Sequence, residues 1–550
     1  MSEMTAPQPA VELPIEELTA IIAQAEVRAL SARESAKLKV LVETFALLKE
    51  ELQSKKTSIE RLKRMLFGAR TEKTSAVLGE QSTGDEAAAG DKAGDKPDSS
   101  DGGKQRKGHG RNGAAAYVGA EKVSIPHPSL HRGDVCPHCA IGKVYPMQEP
   151  GVRVRFRGVA PLQAKVYECA RLRCGACGEV YSAAAPDGVG DEKYDETVPA
   201  VVGLLRYGVG LPHNRIEKLQ ENFGIPLPAS TQWGLVEPAA ATYRPVYEKL
   251  QDHAADGHLV HNDDTTMKVL DLTAEQRAAA LGEDAAEKRT GVFTSGIVSV
   301  GAGHRIALFF TGARHAGENI TEVLKRRSKD LPPPIQMCDG LDHNLPKELE
   351  TILCRCIAHS RRKYVEIAAN FPAEVRFVLN TLKAVYKIDA RARKEGLSPE
   401  RRLKLHREES GPLMEALRQW MNAQLAERKV EPNSGLGAAI RYMDHNWEAL
   451  TGFLRIENAP LDNNVTERAL KRAIQHRKNS LFYKTLNGAR VGDTFMTLIH
   501  TAELNGVNAF DYLVALLRHP KEIAERPEDW MPWTYRATLT RLRAGPDPPA

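Results

Sequence analysis

The sequence predicts a multidomain α+β protein, and three observations support that fold class. The chain has 550 residues, whereas one domain usually holds about 150, so roughly three to four units are expected. A coiled-coil pattern and a low-complexity stretch come first. Strand-like runs begin at residue 258, and helical patterns follow them. These features predict an N-terminal coiled coil, a small cysteine-containing domain, a helical region and an α/β core with a large helical insertion.

Residues 14–70 are predicted to form a coiled coil, or leucine zipper. Apolar residues alternate there at steps of three and four, with only Lys55 interrupting the pattern. They are Leu38, Leu41, Phe45, Leu48, Leu52, Ile59, Leu62 and Leu66. Such helices usually pair with a copy of themselves, which predicts a homo-oligomer. The alternative is a single amphipathic helix that packs on its own domain.

Residues 71–120 are predicted to be a disordered linker between two domains. Gly, Asp, Lys and Ser dominate residues 80–115, which therefore offer almost no apolar surface to bury. The basic end of this stretch, KQRKGHGR, either contacts DNA phosphates or is simply solvated.

Residues 121–190 contain two Cys-x-x-Cys pairs that predict a structural zinc site. Two residues between cysteines let both thiolates reach one ion, and a second pair completes a tetrahedral set. The predicted ligands are Cys136, Cys139, Cys174 and Cys177. The strand-like runs VRVRFRGV and LQAKVYEC between the pairs predict a zinc ribbon-like domain with an inserted hairpin. Cys169 leaves two alternatives open, since it either replaces one ligand or is a buried thiol; chance pairing of the cysteines is a third.

Residues 191–252 are predicted to be a DNA-binding region of the helix-turn-helix type. A helix, a Gly-Ile turn and a second helix follow one another in HNRIEKLQENFGIPLPASTQW, where Ser230 and Thr231 are the expected N-caps. The alternative is an ordinary helical hairpin.

Three carboxylates stand out in the part of the chain that follows. Asp263 lies in the strand-like run HLVHNDDTTMKVL, and Asp339 follows the run PPPIQMC. Glu467 lies at the edge of an apolar stripe in the predicted helix NNVTERALKRAIQ. Carboxylates from two strands and one helix can hold two Mg²⁺ ions about 4 Å apart for phosphodiester chemistry. Taken singly, each aspartate would more often cap a turn, and Glu467 would pair with Lys471.

The net charge of +5 is modest, but positive charge is concentrated in two stretches. Residues 355–408 carry 14 Lys and Arg against 6 Asp and Glu, and residues 462–490 carry 7 against 2. Basic helical faces are usually just solvated, but beside carboxylates they predict a nucleic-acid channel.

Other features argue against several function classes. No GxxxxGK[ST], GxSxG or HExxH motif occurs, which disfavours P-loop nucleotide hydrolysis, the commonest serine hydrolases and metalloproteases. No apolar run is long enough to span a bilayer, so no membrane partner is expected. The N-terminus lacks the basic start and apolar run of a secretory signal, which predicts a cytoplasmic protein with reduced thiols.

Several motifs in a fixed order make the sequence similar to one known family. They are SIERLKRMLFGARTEK, KGHGR, CPHC, HNDDTT, QMCDG, CIAHSRRKY, LDNNVTERALKRAIQHRKNSLF and TLIHTAELNGVNAFDYL. Together they resemble the bacterial insertion-sequence-66 transposases, which are of the DDE class with an RNase H-like catalytic core. The resemblance implies a core over 253–485, with a helical insertion at about 360–445, and a C-terminal helical domain over 486–535.

By this resemblance Asp263, Asp339 and Glu467 are the catalytic triad that binds two Mg²⁺ ions, for which Mn²⁺ can substitute. Implied DNA contacts are His359, Arg361, Arg362, Asn463, Asn464, Arg468, Arg477, Lys478 and Asn479. The two asparagines have an alternative role, which is to hold the start of the glutamate helix. The family commonly has Asp-Glu-Thr where this chain has Asp-Asp-Thr, so Asp264 is an alternative to Asp263.

The expected function is that of a DNA transposase from an insertion sequence. It would bind the terminal inverted repeats, cut the ends of the element and join them to target DNA. Two alternatives stay open: a DNA-binding regulator with an inactive core, and a two-metal nuclease that cuts without joining. Other proteins encoded by the same element are a further expected class of partner.

Overall fold

The structure is a computed structural model of the 550-residue chain. It describes Ser31, Ser35, Ser124, 127–147, 159–173, Cys177, 180–184, 186–187, Val189 and 192–544. The predicted linker, almost all of the predicted coiled coil and Cys174 lie outside the described residues.

The chain divides into two compact units. The first is Met1–Asp85 with Arg362–Lys383, and the second is Glu86–Arg361 with Ala384–Ala550. Most of the described residues in the first unit belong to the segment 362–383. This segment is mainly helical and has an apolar stripe at helical spacing. The stripe consists of Val375, Val378, Leu379 and Leu382. The three carboxylates belong to the second unit.

The cysteine-containing region has two antiparallel pairings. An antiparallel bridge between Val135 and Lys143 closes the turn of the first cysteine pair. Strands β1 (Arg171–Arg173) and β2 (Val180–Ser182) pair antiparallel, and the second cysteine pair lies between them in the sequence. The predicted strand at LQAKVYEC is wrong, because strand pairing begins only after this run, next to the turn.

Three helices precede the central sheet. They are α1 (Thr197–Gly203), which continues into a π-helical segment (Leu204–Gly208), α2 (His213–Asn222) and α3 (Ala229–Ala255). The predicted helix, turn and helix are therefore present. The predicted N-caps Ser230 and Thr231 are wrong, because they lie inside α3, which begins directly after Pro228. Proline fixes the backbone just before the first turn and so sets the helix start.

Helix α3 is a core helix along much of its 27 residues. The fully buried Gln232 ties it to α2, since its amide nitrogen donates to the carbonyl oxygens of His213 and Leu227 at 3.1 and 2.9 Å. Farther along, the Tyr247 hydroxyl donates to the Phe309 carbonyl oxygen at 3.3 Å. These bonds fix α3 to α2 and to Phe309, and the DNA-binding role of the helix pair stays a prediction.

A five-stranded mixed sheet lies at the centre of the second unit. Its strands are β3 (Leu259–Thr266), β4 (Phe293–Gly301), β5 (His304–Gly312), β6 (Ile335–Cys338) and β7 (Ile352–Arg355). The spatial order is β5-β4-β3-β6-β7, with antiparallel pairing among β3, β4 and β5 and parallel pairing of β6 with β3 and β7. The connecting helices are α4 (Ala274–Leu281), α5 (Glu283–Lys288) and α6 (Ala316–Leu324).

These strands confirm the predicted β-rich region that continues into α/β structure. The strand-like runs after residue 258 form β3, β4 and β5, and the run before Asp339 forms β6. Strand β7 was not predicted, because ILCR is too short to show a period of two residues.

After β7 the chain is helical. The first group is α7 (Ile357–Glu366), α8 (Pro372–Lys394), α9 (Pro399–Leu405), α10 (Gly411–Ala426), α11 (Gly435–His445) and α12 (Trp447–Leu450). The second is α13 (Asn464–Ser480), α14 (Leu486–Leu504), α15 (Ala509–Arg518), α16 (Pro520–Glu525) and α17 (Tyr535–Ala544). This agrees with the predicted helical character of 360–445.

Helix α14 covers the outer edge of β5. Four side chains at steps of four residues, three on α14 and one just after its end, accept hydrogen bonds from every second backbone N–H of β5, at 2.7–3.2 Å. The pairs are Asp493 with Thr311, Thr497 with Phe309, Thr501 with Ala307 and Asn505 with Arg305. Four helical residues rise about 6 Å and two strand residues about 6.8 Å, so the repeats match. The edge of the sheet is thus closed by side chains of a helix.

In the part of the chain that the structure describes, none of the helices has both the length and the apolar character that a transmembrane span needs.

Candidate active site

Asp263 lies in β3, and Asp339 occupies the equivalent position directly after the neighbouring strand β6. Parallel pairing of β3 with β6 matches His261 with Met337, and each aspartate lies two residues beyond that pair. Because neighbouring strands are about 4.8 Å apart, the two carboxylates lie at the same end of the sheet.

The pKa of Asp263 reflects this crowding. The pKa is raised to about 7, first by burial and then by the negative charge of Asp339, with smaller contributions from the charges of Asp264 and Glu467. The backbone N–H of Asp264, which donates to Asp263 Oδ1 at 2.8 Å, opposes the rise. A divalent cation would relieve the repulsion among these carboxylates.

Helix α13 brings Glu467 to the two aspartates because a glycine lets it approach the sheet. Gly296 of β4 pairs with Asp263 across β3 and β4, so both positions face the same side of the sheet. A β-carbon at Gly296 would lie 2.9 Å from Leu470 Cδ2 and 3.5 Å from Thr466 Cγ2 of α13. Glu467 follows Thr466 and therefore lies on the side of the sheet that carries Asp263.

Asn463 attaches the start of α13 to β3. Its side chain is fully buried, donates to the Asn262 carbonyl oxygen at 3.0 Å and lies 3.1 Å from His261 Nδ1. Its backbone N–H donates to Cys356 Sγ at 3.2 Å. Burial lowers the pKa of His261 to about 4, so the imidazole is neutral near pH 7. These contacts favour the alternative role predicted for Asn463, which is to hold the start of the glutamate helix.

Asp339 is held by three residues that sequence reasoning missed. The Asn344 side-chain amide donates to Asp339 Oδ1 at 2.6 Å, and the backbone N–H of Leu341 donates to the same oxygen at 3.0 Å. The buried guanidinium of Arg355 donates to the Asp339 carbonyl oxygen. Neither side-chain bond uses the other carboxylate oxygen, Oδ2.

The helical region also reaches this end of the sheet. A β-carbon at Gly340 would lie 2.0 Å from the hydroxyl oxygen of Tyr442 in α11. Burial raises the pKa of Tyr442, and the charge of Asp339 raises it further. Tyr442 is therefore a neighbour of Asp339 that the sequence did not identify.

Asp264 faces the opposite side of the sheet. Its Oδ2 lies 2.8 Å from His315 Nδ1 and accepts a bond from the Ala316 backbone N–H at 3.3 Å, at the start of α6. Its ligand atom also lies within 4.8 Å of one from His315 and one from the exposed His343. Since side chains alternate along a strand, Asp263 and not Asp264 shares a face with Glu467.

Glu467 has a polar atom without a partner. Glu467 Oε1 is buried and makes no hydrogen bond, and His359 Nε2 lies 3.7 Å from it. An unsatisfied buried carboxylate oxygen is costly unless it binds a cation or a donor. Together with the two aspartates, this donor set fits a hard divalent cation such as Mg²⁺.

The other residues that were predicted to contact DNA fall into two groups. Two are tied to the protein: Arg477 Nη1 donates to Thr265 Oγ1 at 3.2 Å, and Asn479 Nδ2 donates to the Gly210 carbonyl oxygen at 3.0 Å. Arg468 and Lys478 are exposed on α13. The remaining four residues are half-buried. Asn464 is the first residue of α13, and α7 carries His359, Arg361 and Arg362.

The first cysteine pair has an environment that suits a thiolate. The backbone N–H of Gly142 donates to Cys139 Sγ at 3.4 Å, and this bond and that of Ile141 lower the pKa of the Cys139 thiol. Cys136 is half-buried, and Cys177 and Cys169 are exposed. Cys174 lies outside the described residues, so the predicted set of four stays a prediction.

Sequence reasoning missed several of the residues that build this site. His261 and Asn262 were part of the conspicuous run HNDDTT, but Asn463, their partner, lies 202 and 201 positions away. The role of Gly296 could not be predicted from any sequence pattern, because it depends on the helix that packs on this glycine.

One protein-family model matches a large part of the chain. The model of a family described as "Transposase IS66 family" matches residues 193–491, which is more than half of the chain. The matched range contains all three carboxylates and none of the cysteines from 136 to 177.

Three proteins of Sinorhizobium fredii are similar to this chain. "Uncharacterized protein y4jD" is 26% identical over 509 residues, which cover 86% of this chain and 93% of that protein. "Uncharacterized protein y4hP" is 25% identical over 516 residues, with coverage of 87% and 88%. "Uncharacterized protein y4qI" is 30% identical over 191 residues, which are 34% of this chain and 35% of that protein.

Proposed function

The chain belongs to the IS66 family of transposases, and on that premise we propose that it is a DNA transposase of a bacterial insertion sequence. It binds the terminal inverted repeats of its element, cuts the ends and transfers the freed 3′-hydroxyls to target DNA. Its catalytic residues are Asp263, Asp339 and Glu467.

The convergence of these three carboxylates is the observation that carries the proposal. Two come from neighbouring strands and one from a helix that a glycine admits close to the same face. The raised pKa of Asp263 and the unpaired oxygen of Glu467 both indicate a position that a cation normally compensates. Two Mg²⁺ ions held there would activate the attacking oxygen and stabilise the leaving oxygen of a phosphodiester.

The protein's own groups position this chemistry. Asn463 and His261 fix the start of the glutamate helix, and Arg355 and Asn344 fix Asp339. Exposed basic side chains of α13, among them Lys478, are the candidates for holding DNA phosphates. The catalytic core is proposed to be RNase H-like; the order β5-β4-β3-β6-β7, antiparallel on one side and parallel on the other, supports this.

Other regions are assigned roles in DNA binding and assembly. A structural zinc ion at the cysteine pairs is supported by the N–H bond to Cys139. In the helix pair α2 and α3, the candidates for phosphate contacts are two exposed residues of α2, Arg215 and Lys218. The heptad pattern over 14–70 supports a homo-oligomer.

A strand-transfer assay tests the proposal. The purified full-length protein is incubated with labelled DNA that carries the element's end sequence and with Mg²⁺, and nicked and joined products are scored separately. Glu467→Gln should abolish both products while DNA binding persists, because glutamine keeps the shape but loses the charge. Glu525→Gln is the matched control, since it makes the same change at an exposed glutamate of α16.

Each outcome distinguishes one of the rival functions. Nicked but never joined products would identify a nuclease, and binding without cutting, even with the element's other proteins added, would identify a regulator. Substantial cleavage by the Glu467→Gln protein would contradict the assignment of the triad.

A further inference from the structure

Cys356, His359 and Glu467 form a second group of metal-binding atoms at the edge of the carboxylate site. One donor atom from each residue lies within 4.8 Å of the others. Cys356 directly precedes α7, His359 lies in its first turn, and Glu467 lies in the first turn of α13. The backbone N–H of Asn463 donates to Cys356 Sγ at 3.2 Å, which places the start of α13 beside the thiol.

Two members of this group have unmet polar atoms. Glu467 Oε1 and His359 Nδ1 are both buried and make no hydrogen bond. His359 Nε2 and Glu467 Oε1 are 3.7 Å apart, which is too long for a hydrogen bond. With metal–ligand distances near 2.0–2.1 Å, two ligands of one tetrahedral zinc ion lie roughly 3.4 Å apart. The observed separation is therefore close to that of a zinc site.

The types of ligand distinguish this group from the carboxylate triad. A thiolate, an imidazole and one carboxylate favour zinc, whereas three carboxylates favour magnesium. Cys356 is 2% exposed, but the side chains of His359 and Glu467 are 22% and 29% exposed. An ion can therefore enter from the side of the imidazole and the carboxylate.

We propose that Cys356, His359 and Glu467 bind one zinc ion, separate from the ion at the cysteine pairs, and that this zinc inhibits DNA cleavage. The inhibitory consequence rests on the proposed function, in which Glu467 is a magnesium ligand. A zinc ion on Cys356 and His359 draws the same carboxylate away from the two aspartates. Glu467 would thus switch between a magnesium site and a zinc site.

Cobalt(II) binding tests the site without any requirement for activity. The full-length protein is loaded with zinc, exchanged into metal-free buffer so that only the tightly held ion remains, and titrated with Co²⁺. Wild type should show a thiolate-to-cobalt charge-transfer band, and Cys356→Ser should lose it. Cys354→Ser is the matched control, because Cys354 is equally buried but its sulfur faces Gly452.

A second variant covers the case in which Cys356→Ser does not fold. His359→Gln retains the thiol and should weaken cobalt binding by roughly tenfold or more, since it removes a direct ligand. An identical cobalt titration for wild type, Cys356→Ser and His359→Gln would overturn the zinc site.

Zinc titration of Mg²⁺-dependent nicking then tests the consequence. The nicking rate of each protein is compared with its own rate without zinc. The zinc concentration that inhibits nicking should be roughly tenfold lower for wild type and Cys354→Ser than for Cys356→Ser. Equal zinc sensitivity of all three proteins would overturn the inhibitory role. A protein that binds cobalt through Cys356 but never cuts DNA would instead contradict the proposed function and leave the metal site standing.

Discussion

Gly296 of β4 lies directly beneath Leu470 of α13, so closely that a β-carbon on Gly296 would be 2.9 Å from Leu470 Cδ2. Gly296→Ala should therefore push α13 away from the sheet and carry Glu467 with it. We expect a loss of about 1–3 kcal/mol in the free energy of unfolding and a reduced rate of DNA nicking. Chemical denaturation and the nicking assay measure the two effects.

Gly312→Ala is the control for this change. Gly312 lies in the same sheet, but a β-carbon there would have no atom within 4 Å. Alanine should therefore leave both stability and nicking unchanged or slightly raise stability, because it restricts the unfolded chain. Equal behaviour of the two alanine variants would show that the contact with Leu470 is unimportant.

Asn463→Ala should disturb the site although Asn463 itself is buried away from solvent. It removes the bond to the Asn262 carbonyl oxygen and the contact with His261 Nδ1, which should cost about 1–3 kcal/mol because buried partners lose their bonds. Nicking should fall more than DNA binding does, since the start of α13 is no longer fixed. Thermal unfolding, nicking and a binding titration measure these effects.

Asn464→Ala is the matched change for Asn463→Ala. Asn464 is the neighbouring residue and is only half-buried, and its substitution leaves the bonds of Asn463 in place. It should cost less stability than Asn463→Ala. A larger loss of stability for Asn464→Ala would reverse the assignment of the anchoring role.

Asp493 should make the stability of the protein depend on pH. Burial raises its pKa from 3.8 to about 7, and the two bonds from Thr311 oppose the rise. Between these values the folded protein binds more protons than the unfolded chain, so stability is greatest below the lower value and falls as pH rises through about 7. The slope for one such group is at most about 1.4 kcal/mol per pH unit.

Asp493→Asn should remove this contribution, since an amide does not titrate. Urea denaturation of both proteins at several pH values between 4 and 8 measures the difference, with the exposed Asp511→Asn of α15 as control. If the free energy of unfolding of wild type and Asp493→Asn changed in parallel with pH, Asp493 would not titrate in this range.

Arg477 and Lys478 are neighbours in sequence but should act differently. Arg477 donates to Thr265 and Thr266 of β3, whereas Lys478 is exposed. Arg477→Ala should lower the free energy of unfolding by about 1–2 kcal/mol. Lys478→Ala should leave stability unchanged, weaken DNA binding and reduce the slope of log affinity against log salt by about 0.9. A reduced salt slope for Arg477→Ala alone would mean that the phosphate contact was assigned to the wrong residue.

Local patterns made most of the secondary structure predictable. The alternating runs around Asp263 and before Asp339 became β3 and β6, and the apolar stripe beside Glu467 became α13. These predictions succeed because the side-chain period of a strand or a helix depends on near neighbours. Where the pattern was short, as in β7, or was not confirmed by pairing, as in LQAKVYEC, the prediction failed.

The sequence by itself determined which residue types are available for chemistry: three separated carboxylates, basic stretches and paired cysteines. Only the tertiary structure decided which of them meet. It put Asp263 and Asp264 on opposite faces of one strand, turned Asn463 inward, and packed α14 against the edge of β5. The reason is that such contacts join residues up to about two hundred positions apart, and their geometry follows from the packing of whole elements, which no local pattern records.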